Sequence, residues 1–212
     1  MAKKGVFVTL EGGEGAGKST QLAHLQSELE AAGCNVVVTR EPGGTPLGER
    51  VREILLHGKD LSIIPDAELL LIFAARAQHL HDVIEPALAK GKIVLCDRFT
   101  DASYAYQGGG RSIADERIAI LETWVQGDRR PDVTILFDIP VEQGLARAGR
   151  RSEPDRFEKE QQAFFIKVRD KYIELALEAP TRTSIVDASK DIAAVQDQLD
   201  QIIKKIVAKH YG

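Results

Sequence analysis

The chain has little that would tie it to a membrane, a metal cluster or a polyanion. Its 212 residues include two cysteines, Cys34 and Cys96, too few for a disulfide framework and not at metal-ligand spacing. No stretch approaches the roughly 18 apolar residues of a membrane helix. The basic start Met1-Ala2-Lys3-Lys4 precedes an apolar run too short for a secretory signal. Formal net charge is −4, which argues against nonspecific nucleic-acid or membrane binding as the main activity. No internal repeat, low-complexity segment or domain boundary stands out, so one domain over residues 1–212, with a substantial core, is expected. No Ser-His-Asp or Cys-His set is evident. Cytoplasmic residence is the default reading.

What is present is a loop that binds phosphate. Gly12-Gly13-Glu14-Gly15-Ala16-Gly17-Lys18-Ser19 fits G-x-x-x-x-G-K-[ST] and follows the apolar run Val6-Phe7-Val8-Thr9-Leu10. Strand before and helix after are its proper setting. The glycines let the backbone curl so that several N–H groups point at one anion, and the helix start adds its positive end. Lys18 is placed to reach β- and γ-phosphates, and the Ser19 hydroxyl to ligate Mg²⁺. The ligand implied is a nucleoside triphosphate.

Further apolar runs predict strands at 36–38, 93–96, 133–137 and 184–186. The first two, continuous rather than alternating, suit strands buried on both faces. Helical patterns are expected near 18–33, 47–57, 65–90, 112–126, from 141, at 157–178 and at 192–209. Pro86 is expected to kink or divide the third of these. Residues 99–110 read as a polar, glycine-terminated segment. Strands alternating with helices imply an α/β fold, a parallel sheet of five strands flanked by helices in three layers. The strand ends at 11, 39, 97 and 138 then share one edge.

Several residues on that edge carry candidate chemistry. Asp97 suits a Mg²⁺ site or an N-cap, and Arg98 beside it suits a phosphate clamp. The stretch from Asp101 to Arg111 mixes aromatics, hydroxyls and an amide, which fits a planar heterocycle or a packed surface loop. Phe73 and Arg76 stand three apart on one helix face; a base stacked on Phe73 and core packing are both compatible with that. Arg76 needs a partner in so apolar a helix. Residues 147–156 hold four arginines. They read as solvated surface or, in a phosphoryl-transfer enzyme, as a mobile lid.

These residues together resemble the bacterial thymidylate kinases, nucleotide kinases with the P-loop fold. The motifs that carry the resemblance are Thr39-Arg40-Glu41-Pro42-Gly43-Gly44-Thr45, Phe73-Ala74-Ala75-Arg76-Ala77-Gln78-His79, Asp97-Arg98-Phe99 and Ala105-Tyr106-Gln107-Gly108-Gly109. It runs essentially end to end and implies Mg²⁺-dependent transfer from ATP to dTMP, with a homodimer as the usual assembly. It assigns ATP to residues 12–19 and Thr20, Mg²⁺ to Ser19 and Asp97, and the acceptor phosphate to Arg98. Arg40, Phe73, Arg76, Ser103, Tyr106 and Gln107 would surround dTMP, with Glu14 near the 3′-hydroxyl and Tyr106 beneath the sugar. Two departures stand out. Many relatives stack thymine on a Phe where this chain has Ile72, and some carry an arginine where it has Gly15. The second departure implies a catalytic arginine from the lid, Arg151 first and Arg147 second. The alternatives are another deoxynucleotide or deoxynucleoside kinase on the same scaffold, or a P-loop switch ATPase.

Overall fold

The computed structural model describes residues 3–58, 61–149, 156–158 and 160–212. Strand β1 (Val6–Glu11) leads through the phosphate loop into helix α1 (Lys18–Ala31). Strand β2 (Val36–Arg40) and helices α2 (Pro46–His57) and α3 (Pro65–His79) follow. A π-helical turn at Leu80–Ile84 joins α3 to α4 (Glu85–Ala89). Pro86 sits at this division, as expected, where it has no N–H to continue an α-helical ladder. Strand β3 (Ile93–Asp97) then rises to the same edge as β1.

Residues 99–110 are mostly helical, not an irregular segment. Helix α5 (Thr100–Ser103) continues directly into a seven-residue π-helix, Tyr104–Gly110. The glycines that end it serve close packing. A Cβ on Gly110 would lie 2.4 Å from the Phe164 ring of the helix that crosses it. The chain closes with α6 (Asp115–Gln126), β4 (Val133–Asp138), α7 (Val141–Ala148), α8 (Gln162–Glu178), β5 (Thr183–Asp187) and α9 (Ile192–Tyr211).

The five strands are all parallel, in the order β2-β3-β1-β4-β5. One face of β1 (Val6, Val8, Leu10) packs on Leu25 and Leu29 of α1 and on Leu199, Ile202 and Ile206 of α9. From the other face, Phe7 meets Leu80, Ile84 and Phe99. This is the three-layer α/β P-loop fold. Strand β2 departs from the expectation of burial on both faces: it is an edge strand, and Val38 is 41% exposed. A continuous apolar run looks the same in a central and an edge strand, because its position depends on which strands pair with it.

Register places Leu10 opposite both Asp97 of β3 and Ile135 of β4. The loop after β1 and the Asp97-Arg98 pair after β3 therefore emerge side by side at the carboxyl edge of the sheet, where open α/β sheets bind ligands.

Candidate active site

A cavity of about 270 Å³ opens at that edge, walled by the phosphate loop, α2, α3 and the segment after β3. Gly17, at φ 84°, caps α1 in the left-handed region and starts the helix at Lys18. Lys18 is buried and curls back, donating Nζ to Gly12 O at 2.9 Å and Gly13 O at 3.0 Å. Burial, with Arg98 nearby, pushes its pKa below the ordinary lysine value. Ser19 lines the cavity; Thr20 is exposed and does not.

Arg98 holds the turn after β3 at φ 70°, a left-handed conformation in a non-glycine residue. Its Nη1 donates to Gly12 O at 3.1 Å and the Tyr172 hydroxyl at 3.2 Å, and its Nη2 to Glu14 at 2.7 Å. The Tyr106 ring lies under the guanidinium, 4.7 Å from Cζ to the ring centre. Glu14 sits below the usual carboxylate range: burial works against this, but Arg98 and Lys18 outweigh it.

Behind this pair lies Glu11, 1% exposed. It accepts the Phe99 N–H at 2.7 Å and the Tyr172 hydroxyl at 2.9 Å. Burial and the nearby Asp101 push its pKa up to about 8. Asp97 reaches the cavity, and its Oδ1 is buried with no hydrogen-bond partner among the described residues.

Arg76 is 1% exposed and has the partners its setting demanded. Nε pairs with Glu41 at 2.7 Å, and Nη2 reaches Ser103 at 2.9 Å and Phe99 O at 3.1 Å. Glu41 also meets His79 at 2.9 Å, and His79 meets Thr39 at 2.6 Å. The Glu41–Pro42 peptide bond is cis. Arg76, Ser103, Tyr106 and Gln107 all line the cavity.

Two expected acceptor-site residues do not. Phe73 turns away into a cluster with Leu69, Ile113 and Ile118, 4.5 Å beneath Arg76, while Ile72 takes the cavity wall. One residue along a helix rotates a side chain by about 100°, so adjacent positions cannot share a face. Arg40 is half-exposed and paired with Glu49 at 2.8 Å, outside the cavity. Strand β2 ends at the sheet's edge, which leaves its terminal side chain toward solvent. Arg147 also lies elsewhere, donating to Ala188 O at 2.8 Å and Ser189 O at 3.1 Å. Arg151, with most of the arginine-rich stretch, falls outside the described residues.

Sequence reasoning missed Arg52, Glu41 and Glu68. Arg52 lines the cavity from α2 and donates to Pro42 O at 3.1 Å; its helical position beside Val51 carried no distinguishing signal. Glu68 is fully buried in α3, and the rule that flagged Arg76, a charge in an apolar helix, would have found it. Lys18, Arg52 and Arg98 thus converge on one cavity. Such a cluster can hold a polyphosphate at the loop and a second anion facing it.

Comparison with known proteins extends this picture. A sequence model of the thymidylate kinase family matches residues 10–199. The thymidylate kinase of Pseudomonas putida (strain GB-1) is 59% identical over 98% of this chain and 99% of its own. That of Pseudomonas entomophila (strain L48) is 58% identical with the same coverage. Among solved structures, the thymidylate kinase from Ehrlichia chaffeensis superposes with a TM-score of 0.74 at 35% identity, covering 95% of this chain and 99% of its own.

Proposed function

This chain belongs to the thymidylate kinase family, and from that premise we propose how its cleft transfers the γ-phosphoryl of ATP to dTMP, giving dTDP and ADP. The observation that carries the reading is the juxtaposition of the phosphate loop with Arg98 in one cavity.

The attacking group is a phosphate oxygen of dTMP, already anionic at neutral pH, so no general base is needed. What opposes the reaction is charge. Two like charges about 4 Å apart repel by roughly 4 kcal/mol at an effective dielectric near 20. Lys18 and the loop N–H groups hold the donor, Arg98 and Arg52 hold the acceptor phosphate, and Tyr106 lies beneath the sugar. Lys18 and Arg98 also face the charge that spreads over the phosphoryl in transfer. Arg76, with Ser103, meets the base carbonyl, and Ile72 packs on the ring face.

The residues present fit a magnesium ion: Ser19 and Asp97 line the same cavity, and the buried Asp97 Oδ1 has no hydrogen-bond partner among the described residues. When bound, Mg²⁺ supplies neutralisation between the phosphates. The segment around 147–156 is read as a lid that brings Arg151 to the transferring group. A lid that closes only over both nucleotides limits hydrolysis by water.

A homodimer is part of the proposal. Leu70 of α3 and Ile120 and Trp124 of α6 are 56%, 67% and 81% exposed, a patch beside the Asp66–Arg117 pair that ties these helices. No helix among the described residues is long and apolar enough to cross a membrane.

A coupled assay offering dTMP, dUMP, dCMP, dAMP and dGMP as acceptors tests the function. Preferred turnover of dTMP is expected. ATP hydrolysis that no acceptor stimulates would instead identify a switch ATPase.

A further inference from the structure

The base-reading amide of the cleft is oriented from behind. Gln107, on the π-helix, is 2% exposed and donates Nε2 to Glu68 Oε1 at 2.7 Å. Glu68 is fully buried, with Arg111 Nε 3.4 Å from Oε1 and Arg156 Nη2 bonded to Oε2. A carboxylate facing two guanidinium groups accepts hydrogen bonds and donates none. The Gln107 amide is thereby held with its nitrogen toward Glu68, and Oε1 is the amide atom left to meet an occupant of the cavity.

We propose that Glu68 is a specificity-determining positioning residue: by pinning the Gln107 amide, it makes the cleft present a hydrogen-bond acceptor to ring nitrogen N3 of the acceptor base. The inference rests on the cavity being the dTMP site. Thymine and uracil carry a proton on N3 and match that acceptor. Cytosine has a lone pair there, and two acceptors face each other. Arg76 adds a second discrimination at the neighbouring atom, since a guanidinium only donates and suits a base carbonyl over an exocyclic amine. Arg156 also donates to Leu55 O at 2.8 Å, and its N–H to Leu56 O at 3.2 Å. Leu55 and Leu56 line the cavity too. The pin is therefore anchored to cavity-lining residues of α2 as well.

The test is Glu68→Gln. Arg156 requires an oxygen and takes that of the new amide, so the new nitrogen faces Gln107. The Gln107 amide then turns over and presents N–H to the cleft, which suits cytosine N3. Relative to wild type, kcat/KM for dTMP is expected to fall and that for dCMP to rise. Their ratio should contract about a hundredfold, within the range that hydrogen-bond recognition supports. KM for ATP should hold. Glu68→Asp, still an acceptor only, should keep the ratio within a few-fold of wild type. A Glu68→Gln enzyme with the wild-type ratio overturns the idea. So does an equal contraction when Glu68→Gln is added to Gln107→Met, because the effect would then bypass the amide. Should Glu68→Gln not fold, Glu68→Leu decides: with no acceptor behind it, the Gln107 amide is free to turn. A retained ratio then overturns the proposal, and a contraction that disappears when Glu68→Leu is added to Gln107→Met supports it. Failure of the wild-type chain to phosphorylate dTMP at all is a different result, which overturns the parent reading.

Discussion

Arg98 and Tyr106 share one oxygen of Glu14: Arg98 Nη2 lies 2.7 Å from Oε1, and the Tyr106 hydroxyl donates to the same atom at 2.8 Å. The guanidinium we propose for the acceptor phosphate is thus held by a carboxylate of the loop we propose for the donor. On that reading an incoming phosphate competes with Glu14 for it, and a dianion with a matching fork of oxygens is the stronger partner.

Arg98→Lys keeps the charge and loses the planar fork. It should lower kcat/KM for dTMP by about 10²–10³ with KM for ATP little changed. Steady-state kinetics with each substrate varied checks this; an unaltered kcat/KM for dTMP would remove Arg98 from the clamp.

Gly15 sits at φ 68°, and a Cβ there would lie 1.9 Å from Gly144 O of α7. Strain of this kind costs on the order of 1–3 kcal/mol before the overlap is counted. Gly15→Ala should therefore raise KM for ATP at least about tenfold and lower the melting temperature. Gly15→Arg should inactivate the enzyme rather than free it from its lid arginine. A Gly15→Arg variant that stays active when Arg151 is replaced by Ala would refute this.

Arg151→Ala should lower kcat by a factor of about 10³ with a modest effect on dTMP affinity. Arg147→Ala should do less, since its guanidinium is bonded to the carbonyls of Ala188 and Ser189. Single-turnover rates separate the two. Equal losses would mean that the lid roles need reassigning.

Glu11 should make stability fall with rising pH. Its pKa is about 8 in the fold against an ordinary 4.5, so between those values the native chain keeps a proton that the unfolded chain has lost. Stability then declines through that window by at most about 1.4 kcal/mol per pH unit from this group, and levels above it. Glu11→Gln should flatten the slope. Urea denaturation at pH 5.5 and 7.5 (about 2 units apart, inside the window) measures it, and an unchanged slope rules Glu11 out as its source.

Trp124→Glu places a charge in the exposed α3–α6 patch. Sedimentation equilibrium should report twice the chain mass for wild type and the single chain for the variant. A wild-type chain that sediments as a monomer ends the dimer proposal.

The phosphate loop, the parallel order of strand and helix, and the pairing of Asp97-Arg98 with the loop were legible in sequence because each is a local pattern. A curl of glycines, a helix start and a strand end are written in consecutive residues, and parallel crossovers then bring the strand ends to one edge. Arg76 was also legible as a charge in want of partners, though not Glu41 or Ser103 as those partners. Only tertiary structure decided that Ile72 rather than Phe73 faces the cavity, that Arg40 stands outside it, and that β2 is an edge. The same holds for residues 99–110, whose glycines admit a crossing helix, and for the bond from Glu68 to Gln107 across 39 positions. Each of these turns on which element packs against which face. That is set by contacts between distant parts of the chain, and no window of neighbouring residues contains it.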